Sequence, residues 1–174
     1  MASRAELAGA MGPDGALVEP RLARGCRAFA GTIDGHVVAY AWLSTGPEWI
    51  GELGLEIQPG PGEAYIWNCV TLPARRQQGV FRAMLHALVQ VAHDDGLQRL
   101  WIGGVDGGAE SAVVESGFAR VLHLTAYTLA GRRWLRVAAA PGADATTVRD
   151  ALFVLGGARG RLRSGLRRVQ QRRH

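Results

Sequence analysis

The chain has 174 residues, 48% of them hydrophobic, and its twenty basic side chains are all arginine, set against fifteen carboxylates. A chain of this size and balance reads as one globular domain that buries roughly 70% of its unfolded surface. With no lysine in it, Schiff-base chemistry and any phosphate loop built around a lysine are excluded.

The sequence pI of about 10.2 belongs to one end of the chain. From Arg159 onward there are seven arginines and no carboxylate, so the body before them is close to neutral. Such a tail offers a surface to nucleic acid, anionic lipid or acidic protein. Residues 159–174 contain no aromatic side chain to stack on bases, so a solvated tail is the expectation. Cys26 and Cys69 form no CxxC pair, and reduced thiols in a cytoplasmic protein are expected. The five histidines share no ligand spacing, His86 and His93 included, and no metal is expected. The opening "MASRAELAGAMGPDG" lacks the apolar core of a secretory signal, and no run approaches the ~18 apolar residues of a membrane span.

In chain order, Ala-rich helical stretches precede "GPDG", a turn signal, and "ALVEPRLARG" reads as a short helix broken near Pro20. "RAFAGTI" and "HVVAYAWL" flank Asp34-Gly35, a strong signal for a two-residue hairpin. "EWIGELGLEI" reads as a third strand and "EAYIWNCVTL" as a fourth, giving an antiparallel meander. Phe81, Met84, Leu85, Leu88, Val91 and Ala92 then recur at helical spacing. "LQRLWIGGV" is a fifth strand, reached through a helical crossover and hence parallel to the fourth. A helix over about Ala109 to Ser116 stops at Gly117. "FARVLHLTAYTLA" and "RRWLRVAAA" form a last strand pair turning at Ala130-Gly131. Val148, Leu152 and Leu155 mark one more helix, and Leu162, Leu166 and Val169 fall at helical spacing in the tail.

"VTLPARRQQGVFRAML" joins the fourth strand to the long helix. A helix start leaves about four N–H groups without partners and carries roughly half a positive charge. With Gly79 allowing close approach and Arg75, Arg76 and Arg82 around it, the segment is suited to an anion. No GxxxxGK[ST] or GxGxxG accompanies it.

This segment is similar to the acetyl-CoA pyrophosphate loop of the GNAT (GCN5-related N-acetyltransferase) superfamily, with Arg76, Gln77, Gln78, Gly79, Val80 and Phe81 in the frame of that loop. Gly117-Phe118 resembles the family's late "GF" pair, and the element order from Arg27 to Arg136 also fits. The resemblance implies a mixed α/β fold with a mostly antiparallel central sheet of about six to seven strands. Helices would lie on both faces, and the fourth and fifth strands would splay apart. It implies that the backbone of Val70, Thr71 and Leu72 pairs with the pantetheine arm of acetyl-CoA, or another acyl-CoA. The amides from Gln78 to Arg82 would hold the diphosphate. An amine, from a small molecule or a protein, would attack the thioester directly while a strand N–H steadies the oxyanion.

The chain departs from the family at three positions. Phe81 stands where a small residue is usual, Val113 where many members carry a tyrosine acid, and Asp106 where an asparagine is frequent. Ser111 and Tyr127 are the substitutes available for the missing acid. The catalytic candidates are Glu52 and Glu56, which share parity on the expected third strand, together with Asn68 on the fourth. Glu63 opens that fourth strand. Trp42, Trp49 and Trp67 are expected to pack, and Cys69 to be buried rather than acyl-accepting. The expected organisation is an acyltransferase domain over 1–140, a packed helix over 141–158 and the tail over 159–174, as a monomer or homodimer. The alternatives are an acyl-CoA-binding module without turnover and a nucleic-acid or ribosome-associated protein that uses its tail.

Overall fold

In a computed structural model, residues 2–51, 53–104, 108–129, 132–156 and 165–169 are described. The first helix, α1 (Arg4–Met11), starts with a capping box: the Ser3 hydroxyl accepts from the Glu6 amide and the Glu6 carboxylate accepts from the Ser3 amide. A 3₁₀ segment (Gly12–Leu17) leads into α2 (Val18–Ala23). The expected break near Pro20 does not occur. Pro20 lies in the first turn of α2, where its missing N–H would have had no partner.

Strands β1 (Arg27–Ile33) and β2 (His36–Ser44) pair antiparallel up to Ile33↔His36. Asp34 and Gly35 between them both have positive φ, 52° and 79°, the signature of the tight hairpin turn expected from the sequence.

The expected third strand is instead a hairpin, β3 (Glu48–Ile50) and β4 (Leu55–Ile57), paired Glu48↔Ile57 to Ile50↔Leu55. The reason is local: Gly51 and Gly54 fold the chain back, and the Gly54 amide donates to the Ile50 carbonyl at 2.8 Å. The strand β5 (Glu63–Thr71) therefore pairs directly with β2, and β6 (Arg99–Ile102) runs parallel to β5. The four-stranded sheet has the order β1-β2-β5-β6 rather than a simple meander.

Alternation gives this sheet two distinct faces. Ala39, Ala41 and Leu43 of β2 and Ala64 and Ile66 of β5 pack on one face. Against them lie Met84, Leu85 and Leu88 of α3 (Val80–Asp94) and Val113 of α4 (Gly108–Glu115). Gly117, at φ 93°, follows α4 as the sequence predicts. The opposite face carries Tyr40, Trp42, Tyr65 and Trp67, all buried. There the Arg21 guanidinium of α2 lies 5.0 Å from the Trp42 ring centroid and 4.5 Å from that of Trp67.

The chain divides into two compact units, residues 1–46 with 61–118, and 47–60 with 119–174. In the second, β7 (Leu122–Leu129), β8 (Arg132–Ala139) and β9 (Gly165–Val169) form an antiparallel sheet in that order. Leu129 pairs with Arg132, and the turn expected at Ala130-Gly131 falls on two residues outside the described set. The helix α5 (Ala145–Gly156) packs by β4, with the Gln58 amide donating to the Val154 carbonyl at 2.7 Å. The spacing of Leu162, Leu166 and Val169 had suggested a helix, but β9 is a strand. Its pairing with β8 from Arg133↔Val169 to Val137↔Gly165 satisfies the backbone instead.

The fold is thus mixed α/β with mostly antiparallel strands. Among the described residues no helix is long and apolar enough to cross a membrane.

Candidate functional site

Two backbone features of the first unit adjoin in the chain. The first is a fork. β5 and β6 pair over four rungs, from Glu63↔Arg99 to Ile66↔Ile102, and β6 ends there. Glu63 pins the closed end by accepting from Arg99 at 3.1 Å and from Trp101 Nε1 at 2.8 Å. Beyond Ile66, residues Trp67 to Thr71 keep β2 on one side and, among the described residues, have no strand on the other. The parting of the expected fourth and fifth strands therefore takes place between β5 and β6.

Within the open part, the β2–β5 register shifts by one residue between Trp42↔Trp67 and Tyr40↔Val70. Asn68 lies in this bulge at φ 45°, a left-handed conformation that asparagine tolerates better than most residues. The side-chain atoms Asn68 Oδ1, Thr71 Oγ1, Trp42 Nε1 and Trp67 Nε1 are buried with no hydrogen-bond partner among the described residues. Orphaned polar atoms on two adjoining strands call for an explanation, since each carries a desolvation cost of about 1–3 kcal/mol.

The second feature is the start of α3. Gly79 is its N-cap at φ 76°, and no side chain caps the helix. A Cβ at Gly79 would meet nothing within 4 Å, so the space in front of the helix is open. The first helical bond is made by Ala83 to the Gly79 carbonyl at 3.0 Å, which leaves the amides of Val80, Phe81 and Arg82 ahead of it. No carboxylate stands in the first turn.

The polar side chains of the loop bond backbone or neighbours elsewhere. Arg76 Nε donates to the Thr71 carbonyl at 3.2 Å and Gln78 Nε2 to the Ala74 carbonyl at 3.3 Å. Arg82 donates to Glu115 of α4 at 2.6 Å. Gln77, at φ 60°, turns the loop together with Gly79. Phe81 packs partly buried against the sheet–α3 core, so its ring faces away from the loop amides.

The catalytic candidates separate. Asn68 is in the fork. Glu56 is exposed on β4, in the second unit, and Glu52 lies outside the described residues, as does Asp106. The strand on which Glu52 and Glu56 were expected to share a face is a hairpin, β3 and β4. Val113 is buried in the core, Ser111 is exposed, and Tyr127 is exposed on β7 in the second unit. The sequence reading missed Arg21 and Tyr65. The aromatic alternation Tyr40/Trp42 and Tyr65/Trp67 was the signal that could have found the face they share.

Burial pushes the Cys69 thiol up to about 12. At pH 8 in a Cys26→Ala background, native Cys69 is therefore expected to react with iodoacetamide about a thousandfold more slowly than in the unfolded chain. The sign for stability follows. Between about pH 9 and 12 the unfolded thiol ionises while the native one stays protonated, so stability falls as pH rises through that window. Below it Cys69 contributes no pH dependence. A Cys69→Ala variant with an unchanged alkaline unfolding profile would contradict this.

The GNAT acetyltransferase family model matches residues 10–113, and the chain belongs to that family. A ribosomal-protein-alanine N-acetyltransferase from Brucella melitensis biovar Abortus 2308 is 17% identical over 72% of this chain and 90% of its own, with a TM-score of 0.52. A protein from Agrobacterium tumefaciens str. C58 described as an acetyltransferase is 25% identical over 68% of this chain and 78% of its own, with a TM-score of 0.48. An acetyltransferase from Trypanosoma brucei is 18% identical over 66% and 75%, with a TM-score of 0.46. No curated protein matches the chain.

Proposed function

We propose that this GNAT acetyltransferase moves an acetyl group from acetyl-CoA to a primary amine by direct attack. The observation that carries this reading is an uncapped, unobstructed helix start in direct sequence with a strand edge that has no neighbour among the described residues.

The residues present fit acetyl-CoA. The amides from Gln78 to Arg82 would hold its diphosphate, with Arg76 and Gln77 shaping the loop. The backbone of Val70, Thr71 and Leu72 would pair with the pantetheine arm as an added strand. That arm supplies amide groups for the open edge, where Thr71 Oγ1 is without a partner. The thioester, when bound, supplies the electrophilic carbonyl. A bulge leaves its extra residue out of the ladder, and the β5 backbone at Asn68 would aim an N–H at the developing oxyanion. Asn68 would orient the amine.

A second reading, an acyl-CoA-binding module without turnover, draws on Val113, whose buried aliphatic side chain has no proton to give. One experiment separates the two. Acetyl-CoA is expected to raise the melting temperature of the full chain, and thiol release is expected across a panel of amines. A shift without release selects the binding module, and no shift at saturating acetyl-CoA overturns both.

A further inference from the structure

We propose that the Tyr65 hydroxyl is the proton-relay group of this site, giving its proton to the departing thiolate at the fork between β5 and β6. The inference rests on the acyl-transfer reading above and names a residue which that reading left without a role.

The position comes from the register. Tyr65↔Trp101 and Ile66↔Ile102 are the last two rungs before the strands part, and Gly103 is the first residue beyond β6. The Tyr65 phenol reaches forward over that point. A Cβ built on Gly103 would lie 2.7 Å from the Tyr65 hydroxyl oxygen and 3.9 Å from Cζ. Gly103 has no positive φ, so what the position demands is space. The absent side chain lets a phenolic oxygen rest against the backbone where the slot opens. Tyr65 is itself only 5% exposed, so the ring is held by packing and its hydroxyl is placed in advance of any ligand.

Other hydroxyl groups are less well placed. Tyr40 lies on β2, with β5 between it and the open edge, paired with Val70. Thr71 is at the far end of the open edge, next to the loop.

The step balances as follows. The amine nitrogen bonds to the thioester carbon and the C–S bond breaks. The Tyr65 O–H proton passes to sulfur as the thiol forms. The phenolate then takes the proton shed by the nitrogen, directly or through a water. Amine and thioester become amide and thiol, and Tyr65 ends as it began.

The test uses the full chain, acetyl-CoA, and hydroxylamine as a small acceptor that needs no shaped pocket. Three quantities are read: the thermal shift with acetyl-CoA, the rate of thiol release, and the ratio of that rate in H2O to that in D2O. Tyr65→Phe is expected to keep the wild-type shift and lose about a hundredfold in rate, the low end for acid–base catalysis. The solvent isotope effect of the wild type is expected to vanish in it. Gly103→Ala pushes the hydroxyl aside and is expected to give an intermediate rate with an intact shift.

A Tyr65→Phe enzyme with wild-type rate and isotope effect overturns the proposal while leaving acyl transfer standing. If Tyr65→Phe fails to fold or to bind, Gly103→Ala decides, and a wild-type rate there overturns the proposal as well. A wild type that binds acetyl-CoA and releases no thiol overturns the acyl-transfer reading, and the role of Tyr65 with it.

Discussion

Gly79→Asp is expected to abolish the thermal shift with acetyl-CoA while leaving the fold and melting temperature of the free protein almost unchanged. Asp is among the residues that best tolerate a left-handed φ such as the 76° at this position. A carboxylate at a helix start is favourable toward the helix dipole, and no neighbour obstructs the new side chain. The same carboxylate would sit before the amides of Val80, Phe81 and Arg82 and repel a diphosphate. Charges about 5 Å apart at an effective dielectric near 20 repel by about 3 kcal/mol, which weakens binding by about two orders of magnitude.

Gly79→Asn, similar in shape and neutral, separates charge from bulk and is expected to lose no more than about tenfold. Isothermal titration with acetyl-CoA measures both. Equal affinity in the wild type and Gly79→Asp would remove the α3 start from the binding site.

Trp42→Ala is expected to produce the largest loss of stability of any single truncation on the aromatic face, about 3–5 kcal/mol. For a chain of this size that lowers the melting temperature by roughly 10 °C. Trp42 is fully buried. Its ring is 6.0 Å from that of Trp67, and both rings face the Arg21 guanidinium. Removing the indole leaves a cavity and takes away one of the two rings against which the buried cation rests.

Trp42→Phe should cost less than half as much, because Trp42 Nε1 is buried without a partner and its removal relieves a desolvation penalty. Thermal melts of the three proteins decide the matter. A Phe variant as unstable as the Ala variant would mean that the indole N–H is the group holding the assembly together.

The candidate site was legible in the sequence to the extent that its chemistry is local. The strand–Pro–basic loop–Gly–helix order of residues 70–90 specifies a helix start without a capping side chain, and the structure has one at Gly79. The roles of the arginines were less legible. Arg76 and Arg82 read as charges around an anion, yet one bonds the Thr71 carbonyl and the other Glu115 on α4. Those partners are five and thirty-three positions away, and the second depends on how two helices pack. The expected third strand illustrates a different failure. It was read as one continuous strand, and the backbone bonds of the Gly51–Gly54 turn replaced it with a hairpin.

The sequence by itself determined the Asp34-Gly35 hairpin, the long amphipathic helix with its glycine start, the stop at Gly117 and the parallel return of β6. The first three follow from backbone conformations and side-chain periods within a dozen or so residues, and the parallel return follows from the strand–helix–strand order. Only the tertiary structure decided that β2 pairs with β5, that the bulge falls at Asn68, that Arg21 rests on two tryptophans, and that Tyr65 reaches Gly103. It also made a strand of Gly165–Val169 despite a helical spacing of leucines. Strand pairing is settled by hydrogen bonds and packing between segments far apart in the chain, and a one-residue change of register moves every later side chain to the other face.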